Sequence, residues 1–450
     1  MIRRSNLEVN MQTEELIWKN WAENQSCVPQ LIESPTTEEE LSTELTTVIR
    51  KAAQSDLKIK AVGTGHSFTG TALTNGLLID LSDYKQIIDV DISKKQVTVQ
   101  VGKKLEHLSP ELWEHGLAMS DLGDIAYQSV AGAISTGTHG TGLGFGCLAT
   151  QVVSARVITG EGEMIECSLE KDVELFRAAV VGVGAAGILS TVTLQLESAF
   201  NLHALEMMMP LEEVLSKQED FIRDNEHFEY FCHPSMDAAF TKRNNRTEQA
   251  ISEFSRWRRW YEEEFSYNYL RRAAMVATKV SPRLGALIGN SLPSGTRENY
   301  VDRSYAVFTS ERKLKFVEME YFIPREFARE ALERTLDFVQ NSGLEISMPI
   351  EVRWARADNL PLSMCFGRET ASIAIHVRQN DPFEPYFVPV ETIMSDYGGR
   401  PHWGKMHFQT AATLRDLYPE WESFQRARKI LDPNGRLANA YTDRVLGPIQ

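Results

Sequence analysis

The chain has 450 residues, of which 42% are hydrophobic, and a formal net charge of −15 at pH 7. This length is sufficient for two or three hydrophobic cores, so the chain should divide into domains. The surplus of negative charge would repel a phosphate backbone, which argues against a nucleic-acid partner.

Cysteines and apolar runs predict the compartment. The five cysteines are scattered, odd in number and without metal-ligand spacing, which is typical of a reducing compartment without disulfides. Arg3-Arg4 is followed by polar residues, which argues against a signal peptide. The most apolar run, residues 178–192, is too short and too interrupted by glycine to span a bilayer, so no transmembrane segment is predicted. The expected location is the cytoplasm.

The first predicted elements surround a glycine-rich turn. Residues 1–25 are a polar N-terminal arm, in which 14–21 is predicted as a short helix or an arm. Thr37 and the acidic residues after it predict a helix start, because threonine caps helices and acids favour the first turn. Apolar spacing predicts strands at 57–62, 77–81 and 96–101 and a helix at 105–115 that ends at Gly116. This order indicates an α+β layer domain and not a regular doubly wound one.

The turn itself is Gly63-Thr64-Gly65-His66-Ser67-Phe68. Two glycines one residue apart allow positive φ and the close approach of a flat ligand. His66 is thereby presented at the end of a strand, towards whatever the turn binds. The alternative is a tight turn with an incidental histidine, because short motifs are often matched by chance.

A second glycine-rich stretch begins at Gly123-Asp124 and continues from Ser129 to Gly142. Its glycines and hydroxyls are unsuited to a core but can wrap an extended polar ligand and donate hydrogen bonds to a diphosphate. No lysine followed by serine or threonine is present, so it is not a Walker A loop. A flexible linker is the alternative, and the strands predicted at 152–158 and 164–167 argue against it.

A third glycine motif matches the sequence of a dinucleotide site but not the secondary structure that such a site requires. Residues 182–187 match G-x-G-x-x-G. That fingerprint requires a strand before it and a helix after it. Here 175–181 is predicted as a helix and 188–196 as a strand, so we reject a Rossmann site.

After about residue 200 the pattern predicts a second domain, with helices that cover an antiparallel sheet. The predicted strands are 227–231, 315–323, 350–354 and 372–378, and the predicted helices are 211–224, 325–341 and 413–417. Residues 243–246 are predicted as a polar turn. The basic-aromatic stretch at 256–260 predicts an amphipathic helix with a solvated face, with membrane or partner contact as the alternative.

Two clusters in this half carry charged groups. Glu351 and Arg353 share a face of their strand, because alternate residues do so. A carboxylate beside a guanidinium suits a polyhydroxylated ligand and the stabilisation of developing charge. An ion pair on an exposed sheet is the alternative. The glycine-rich loop at 398–407 carries Trp403 and Lys405, which is more typical of a site than of a scaffold turn.

These motifs occur in the same order in one known family. They are the turn at Gly63, the loop from Gly132 to Gly142, Glu351-Val352-Arg353-Trp354, Arg400-Pro401-His402-Trp403-Gly404-Lys405 and Leu431-Asp432-Pro433-Asn434-Gly435-Arg436. Over residues 18–447 the chain resembles the sugar-acid lactone oxidoreductases, which are the L-gulono-1,4-lactone and D-arabinono-1,4-lactone oxidases and dehydrogenases of the vanillyl-alcohol-oxidase flavoprotein superfamily. The resemblance implies an α+β, two-domain flavoprotein with a PCMH-type FAD-binding domain and an antiparallel-sheet cap domain.

The resemblance also implies a division of the chain and a set of cofactor residues. The N-terminal arm is 1–25, the FAD-binding domain is 26–198, the substrate-binding cap domain is 199–400, and a C-terminal segment at 401–450 returns to the FAD. The residues implied to bind FAD are Gly63, Thr64, Gly65, His66, Ser67, Phe68, Gly123, Asp124, Ser129, Gly132, Ala133, Ser135, Thr136, Thr138, His139, Gly140, Thr141, Gly187, Ile188 and Asn439. Residues 132–141 would hold the diphosphate and Gly187-Ile188 the adenine end. His66 matches the histidine that many members bond covalently to the 8α carbon of the flavin.

Glu351, Arg353 and Lys405 match the active-site residues of the family. Arg353 and Lys405 would stabilise charge during hydride transfer from a sugar carbon to flavin N5. Glu351 would either orient substrate hydroxyls or accept the proton, and both roles stay open. His376 and Trp403 are expected to line the substrate pocket, with a satisfied core histidine as the alternative for His376. No metal is expected.

The implied activity is oxidation of an L-gulono-, L-galactono- or D-arabinono-1,4-lactone at a carbon that bears a hydroxyl, with O2 as acceptor and H2O2 as product. Family members that exclude oxygen can do so with a small side chain near the flavin, at the position that Gly123 occupies in this chain. Glycine leaves space there, so an oxidase is favoured. The alternatives are an alditol oxidase that acts on a polyol, a lactone dehydrogenase with another electron acceptor, and a non-catalytic protein that retains the flavin fold.

Overall fold

The computed structural model describes residues 17–53, 57–252, 299–310 and 314–449. The basic-aromatic stretch at 256–260 lies outside these ranges. Within them, no helix combines the length and the apolar character that a membrane crossing requires.

Two main sheets organise the first half of the chain. A parallel sheet contains, in spatial order, Leu31–Glu33, Leu77–Asp80 and Ile59–Val62. An antiparallel sheet contains, from edge to edge, Met164–Ser168, Val152–Ile158, Ile188–Gln195, Gln96–Gln100 and Ile87–Asp91. Two short pairs join Trp18–Lys19 to Ser26–Cys27 and Leu117–Ala118 to Glu197–Ser198. The helices are Glu38–Ala52, Leu105–Glu114, Val130–Ser135 and Val173–Val180, with 3₁₀ turns at Gly70–Ala72 and Leu148–Gln151.

Local signals placed several of these elements correctly. The Thr37 side chain accepts a hydrogen bond from the N–H of Glu40, and the Glu40 carboxylate accepts one from the N–H of Thr37. This reciprocal cap confirms the predicted helix start. Helix Val173–Val180 precedes the G-x-G-x-x-G residues and strand Ile188–Gln195 follows them. The reversed order is therefore confirmed, and with it the rejection of a Rossmann site.

An eight-stranded antiparallel sheet dominates the second half. In spatial order its strands are Asn299–Arg303, Asn201–Pro210, Ala238–Thr247, His227–Cys232, Ile350–Ala355, Thr370–Arg378, Phe316–Pro324 and Arg400–Pro401. The helices are Leu211–Ser216, Gln218–Asp224, Ser304–Phe308, Ala328–Ser342, Glu384–Asp396, Ala411–Leu414, Trp421–Leu431 and Ala440–Leu446, with 3₁₀ turns at Arg325–Phe327 and Arg415–Leu417. The predicted antiparallel sheet with covering helices is confirmed.

The two faces of this sheet differ in chemistry. Met319, Tyr321 and Val352 belong to an apolar core with helices Ala328–Ser342 and Glu384–Asp396. Because successive side chains of a strand point to opposite faces, the residues that alternate with these project to the other side. Those alternating residues are acidic or basic at several positions, and this face forms the site described below.

Three local predictions are wrong. Residues 243–246 continue strand Ala238–Thr247 and are not a turn, because pairing with Asn201–Pro210 and His227–Cys232 overrides their polar character. Of the two alternatives for residues 14–21, a short helix or an arm, the helix is wrong, because residues 18–19 pair as a strand with 26–27. The second glycine-rich stretch is not a loop throughout, since Val130–Ser135 is a helix capped by Ser129, with Val130 and Ile134 in the core.

Candidate active site

A cleft opens beside the turn that contains His66. It encloses about 920 Å³ of space, part of which is open to solvent. The predicted cofactor residues that line it are Gly63, Thr64, Gly65, His66, Ser67, Ser129, Gly132, Ser135, Thr136, Gly187 and Ile188. Two glycine-rich stretches and a third turn, distant in sequence, therefore meet at one cleft, and ligand sites are typically clefts of this kind.

Two glycines allow the walls of the cleft to come together. Gly65 has a φ of 67°, in the left-handed region that glycine adopts without strain. A Cβ atom on Gly63 would lie 2.0 Å from Oγ of Ser129, so only glycine permits this contact between the first and second stretches. The small residues leave space for a ligand, and the hydroxyls of Ser67 and Ser135 can donate hydrogen bonds to a diphosphate. The cleft therefore fits the flavin dinucleotide that the resemblance implies.

The N-terminal arm holds the histidine turn from the outside. The N–H of Trp21 donates to the carbonyl of Gly65 at 2.8 Å, and the side-chain amide of Asn20 donates to the carbonyl of Ser67 at 2.9 Å. Trp18 lines the cleft itself. Sequence reasoning missed this role, although two tryptophans in a stretch assigned as a polar arm were a usable signal.

His66 is uncharged at physiological pH. Burial, together with the positive charges of Lys104 and Lys405, lowers its pKa to about 4. Its ring stacks against the indole of Trp21, with centroids 5.2 Å apart and an interplanar angle of 26°. A neutral imidazole retains a nitrogen lone pair that can act as a nucleophile.

The remaining predicted cofactor residues are not among those that line this cleft. They are Phe68, Gly123, Asp124, Ala133, Thr138, His139, Gly140, Thr141 and Asn439. Asn439 caps helix Ala440–Leu446, and its side-chain amide donates to the carbonyls of Gly70 and Leu73 at 2.8 and 2.9 Å. It thus fixes the 3₁₀ turn that contributes Thr71 to the wall.

A second set of functional side chains forms a charged cluster on the polar face of the eight-stranded sheet. Its members are Lys242, Glu229, Glu351, Arg353, His376, Glu318 and Glu320 from five adjacent strands, and Asp124, His139 and Lys405 from outside the sheet. Cations and carboxylates alternate through the cluster, which is how buried charges are stabilised in proteins.

Arg353 lies between two carboxylates. Its Nε donates to Oε2 of Glu229 at 2.6 Å, and its Nη2 contacts Oε1 of Glu351. Lys242 approaches the other oxygen of Glu229 at 2.9 Å. Glu351 and Arg353 are only 6% and 8% exposed. The predicted pairing on one face is therefore present, and the alternative of an exposed ion pair is excluded.

Lys405 joins this cluster to the cofactor half. Its Nζ contacts Oε2 of Glu318 and lies 3.9 Å from Oε2 of Glu320. The second oxygen of Glu320 lies 2.8 Å from Nε2 of His139, within the stretch predicted to hold the diphosphate. Lys405 also lies over the ring of Phe68, with its Nζ 5.6 Å from the centroid. The loop at 402–405 thus brings a cation to the histidine turn.

The carboxyl groups of the cluster differ in proton affinity. Burial raises the pKa of Glu351, and the neighbouring Glu229 adds to this effect against the opposing charge of Arg353. Burial acts on Glu318 in the same direction, but Lys405 and His376 outweigh it and the pKa falls to about 2. For Glu229, Lys242 and Arg353 likewise outweigh burial and lower the pKa. Glu351 is therefore better suited to take up a proton than Glu229 or Glu318.

His376 faces the same carboxyl groups. Its Nδ1 donates to the carbonyl of Pro349 at 2.9 Å, which directs Nε2 towards Glu318 at 3.5 Å and Glu351 at 4.0 Å. Two carboxylates and a histidine at this spacing resemble a metal site. Both carboxylates already contact a cation, Glu318 that of Lys405 and Glu351 that of Arg353, so the spacing alone assigns no metal.

Trp403 does not line the pocket, in contrast to its predicted position. The side chain is fully buried, its indole N–H donates to the carbonyl of Leu362 at 2.6 Å, and its ring stacks on Tyr418. A buried indole N–H needs an acceptor, and the backbone supplies one. Trp403 therefore packs the core beneath the loop that presents Lys405.

Sequence reasoning also missed the carboxylates that flank the two predicted cations. Glu318 and Glu320 alternate within an otherwise apolar strand, Phe316–Pro324. Charged residues are rarely buried without a partner, so this alternation was a usable signal. For Glu229 and Lys242 the strand pattern gave a weaker signal of a buried charge.

Two family models match successive parts of the chain. The family model for the FAD binding domain matches residues 29–168, and the model for D-arabinono-1,4-lactone oxidase matches residues 192–445. The chain is 42% identical to the L-gulono-1,4-lactone dehydrogenase of Mycobacterium tuberculosis, over 96% of this chain and 99% of that protein. It is 34% identical to the L-gulonolactone oxidase of Bos taurus, over 95% and 98% of the two chains. Its identity to an alditol oxidase of a Streptomyces species is 28%, over 95% and 98%.

A solved structure shows the same fold at low identity. The cholesterol oxidase of Brevibacterium sterolicum superposes with a TM-score of 0.79 over 96% of each chain, at 16% identity. At this identity the likeness shows the fold and not the activity.

Proposed function

The chain belongs to the D-arabinono-1,4-lactone oxidase family of FAD-dependent oxidoreductases, with the vanillyl-alcohol-oxidase fold, and from this membership we propose that it oxidises an L-gulono-, L-galactono- or D-arabinono-1,4-lactone. The observation that carries the proposal is the buried cluster in which Arg353 and Lys405 each lie beside carboxylates, next to the cofactor stretch. We retain the proposed division into an FAD-binding domain at 26–198, a cap domain at 199–400 and a returning segment at 401–450. A cytoplasmic location stays a prediction.

The charged cluster supports distinct roles for its members. When bound, FAD supplies an acceptor for the hydride of the substrate carbon. We assign the acceptance of the hydroxyl proton to Glu351, because its pKa is raised where those of Glu229 and Glu318 are lowered. Arg353 and Lys405 would stabilise negative charge as it develops on the substrate oxygen. The carboxylates beside each cation hold it in position.

The experiment that tests this function compares substrates. Purified protein is assayed with L-gulono-1,4-lactone, D-arabinono-1,4-lactone and xylitol, under oxygen and with an artificial electron acceptor. We expect a lactone to have the highest kcat/KM. A preference for xylitol would identify an alditol oxidase instead, and no turnover with any of the three would contradict the proposed substrate class.

We also propose that FAD is bonded covalently to His66, which lines the cleft as a neutral imidazole. After acid precipitation, the flavin of the wild-type protein is expected to stay in the pellet. The His66→Ala variant is expected to release it to the supernatant, because the nucleophile is lost. Flavin in the wild-type supernatant would leave FAD as a cofactor and exclude the covalent link.

The proposed acceptor is O2, and Gly123 provides a test. A Cβ atom there would lie 3.1 Å from both the carbonyl oxygen of His139 and Cγ2 of Thr138. We expect Gly123→Ala to slow turnover with O2 by about tenfold or more, equivalent to about 1.4 kcal/mol, because the methyl group occupies space that O2 would use. Turnover with an artificial dye should be retained. The matched control is Gly144→Ala, where an added Cβ meets no atom within 4 Å.

The two acceptors distinguish the possible results for Gly123→Ala. An equal loss with O2 and with dye would mean that the methyl group disturbs the whole site. Wild-type protein that turns over with dye but not with O2 would instead identify a lactone dehydrogenase.

A further inference from the structure

The imidazole of His66 is oriented by aromatic rings. The indole of Trp21 lies near-parallel to it at 5.2 Å and 26°, and the ring of Tyr127 lies near-parallel at 6.1 Å and 14°. Trp21 in turn meets Phe316, of the eight-stranded sheet, edge to face at 5.6 Å. The position of the indole is thus set from the cap side as well as from the histidine turn.

No hydrogen bond from the described part of the chain holds either ring nitrogen of His66. A histidine is usually oriented by the partner of one of its nitrogens. The described residues thus leave both nitrogens available, and the flat contacts with Trp21 and Tyr127 restrict the plane of the ring.

The arm that carries Trp21 is tied to the same turn. Trp21 donates its N–H to Gly65 at 2.8 Å, Asn24 donates to the carbonyl of Phe68 at 2.9 Å, and the side chain of Asn20 accepts the N–H of Gln25 at 3.0 Å. These hydrogen bonds fix the position of the indole relative to the imidazole. Replacement of the indole is therefore expected to change the orientation of the His66 ring.

We infer that Trp21 is a positioning residue for the covalent attachment of the flavin, and this inference rests on the link proposed above at His66. In the attachment, a bond forms between a ring nitrogen of His66 and the 8α carbon. The 8α carbon is that of a methyl group of the flavin. One C–H bond of this methyl group and the N–H bond of the imidazole break. The two hydrogens and two electrons pass to O2, which gives H2O2.

Such a bond forms only when the nitrogen lone pair points at the carbon, and small misplacements of a reacting group slow reactions strongly. Because no hydrogen bond from a described residue fixes the ring, loss of the indole should let the imidazole rotate. Attachment should then slow more than FAD binding weakens.

The test uses full-length protein expressed under riboflavin limitation and then supplied with FAD in air. Total bound flavin is measured by absorbance after gel filtration, and attached flavin by the fraction that stays with acid-precipitated protein over time. We expect Trp21→Leu to slow attachment per bound FAD by about 10- to 100-fold. Trp21→Phe, which keeps a flat ring, should recover most of the rate.

The matched control is Trp113→Leu. Trp113 is also half-buried and makes one edge-to-face aromatic contact, with Tyr305 at 5.8 Å. Expressing attachment per bound FAD removes any general loss of folded protein or of affinity. If Trp21→Leu fails to fold, Trp21→Phe is compared with Trp21→Met instead. This pair again compares an aromatic ring with a flexible aliphatic side chain at the same position.

The outcomes are distinct. Slow attachment in Trp21→Leu, with normal rates in Trp21→Phe and Trp113→Leu, supports the inference. Wild-type rates in Trp21→Leu overturn it and leave the link at His66 intact. Wild-type protein that attaches no flavin overturns the proposed link, and the inference with it.

Discussion

Replacement of Lys405 with methionine is expected to lower kcat by about 10²- to 10³-fold, the range seen when one group that stabilises developing charge is removed. The Nζ of Lys405 contacts Glu318 and lies 3.9 Å from Glu320. Without it, negative charge on the substrate oxygen would develop beside two buried carboxylates that have lost this cation. We expect KM to change less than kcat, because the interaction strengthens mainly in the transition state.

The matched control for this prediction is Lys315→Met, which removes an ion pair with Glu23 in a more exposed setting. Breaking a buried pair can also destabilise a protein by about 3–5 kcal/mol, so denaturant unfolding is measured alongside kinetics. Lys405→Arg keeps the positive charge but changes the shape of the side chain. It therefore separates the effect of losing the charge from the effect of changing the shape. A folded Lys405→Met protein with unchanged turnover would contradict the site and support a non-catalytic flavin-binding protein.

Glu351→Gln is expected to lower kcat/KM by about 10²- to 10⁴-fold, the usual contribution of a general base. The substitution keeps the shape of the side chain and removes its ability to accept a proton. In the wild-type protein the base is active only when ionised, so activity should fall as the pH falls through the raised pKa of Glu351. The variant should lose this acidic limb of the pH profile.

Glu391→Gln is the matched control. Glu391 is also buried with a raised pKa, but it contacts the Tyr321 hydroxyl and Gln409 and not the charged cluster. Its variant should keep the acidic limb. If Glu351→Gln retains the limb while KM rises, Glu351 orients substrate hydroxyls, and the proton is accepted elsewhere.

Much of the cofactor half was predictable because its signals are local. The glycines at 63 and 65, the capping Thr37 and the alternation at 96–101 each depend on the backbone preferences of a few neighbouring residues. The same locality excluded the Rossmann site, since the helix before residue 182 and the strand after it follow from side-chain period alone.

The polar turn predicted at 243–246 shows where local reasoning ends. Arg243 and its neighbours have turn-like composition, yet all four residues pair with strand Asn201–Pro210, and Arg243 and Asn244 also pair with strand His227–Cys232. The hydrogen bonds of a central strand outweigh the weak preference of its side chains. Trp403 is a similar case, because its burial depends on Leu362 and Tyr418, which no spacing in the sequence connects to it.

By itself, the sequence determined the glycine turns and the order of most strands and helices, because these follow from residue type and short-range period. It also singled out Glu351, Arg353 and Lys405 as candidate charged groups of a site. Only the tertiary structure decided that Glu229, Glu318 and Glu320 flank those cations and that Trp21 stacks on His66. Such contacts join residues far apart in the chain, and their distances depend on strand register and on the docking of the arm. The proton affinity of Glu351 likewise depends on burial and on neighbouring charges, which exist only once the sheet has formed.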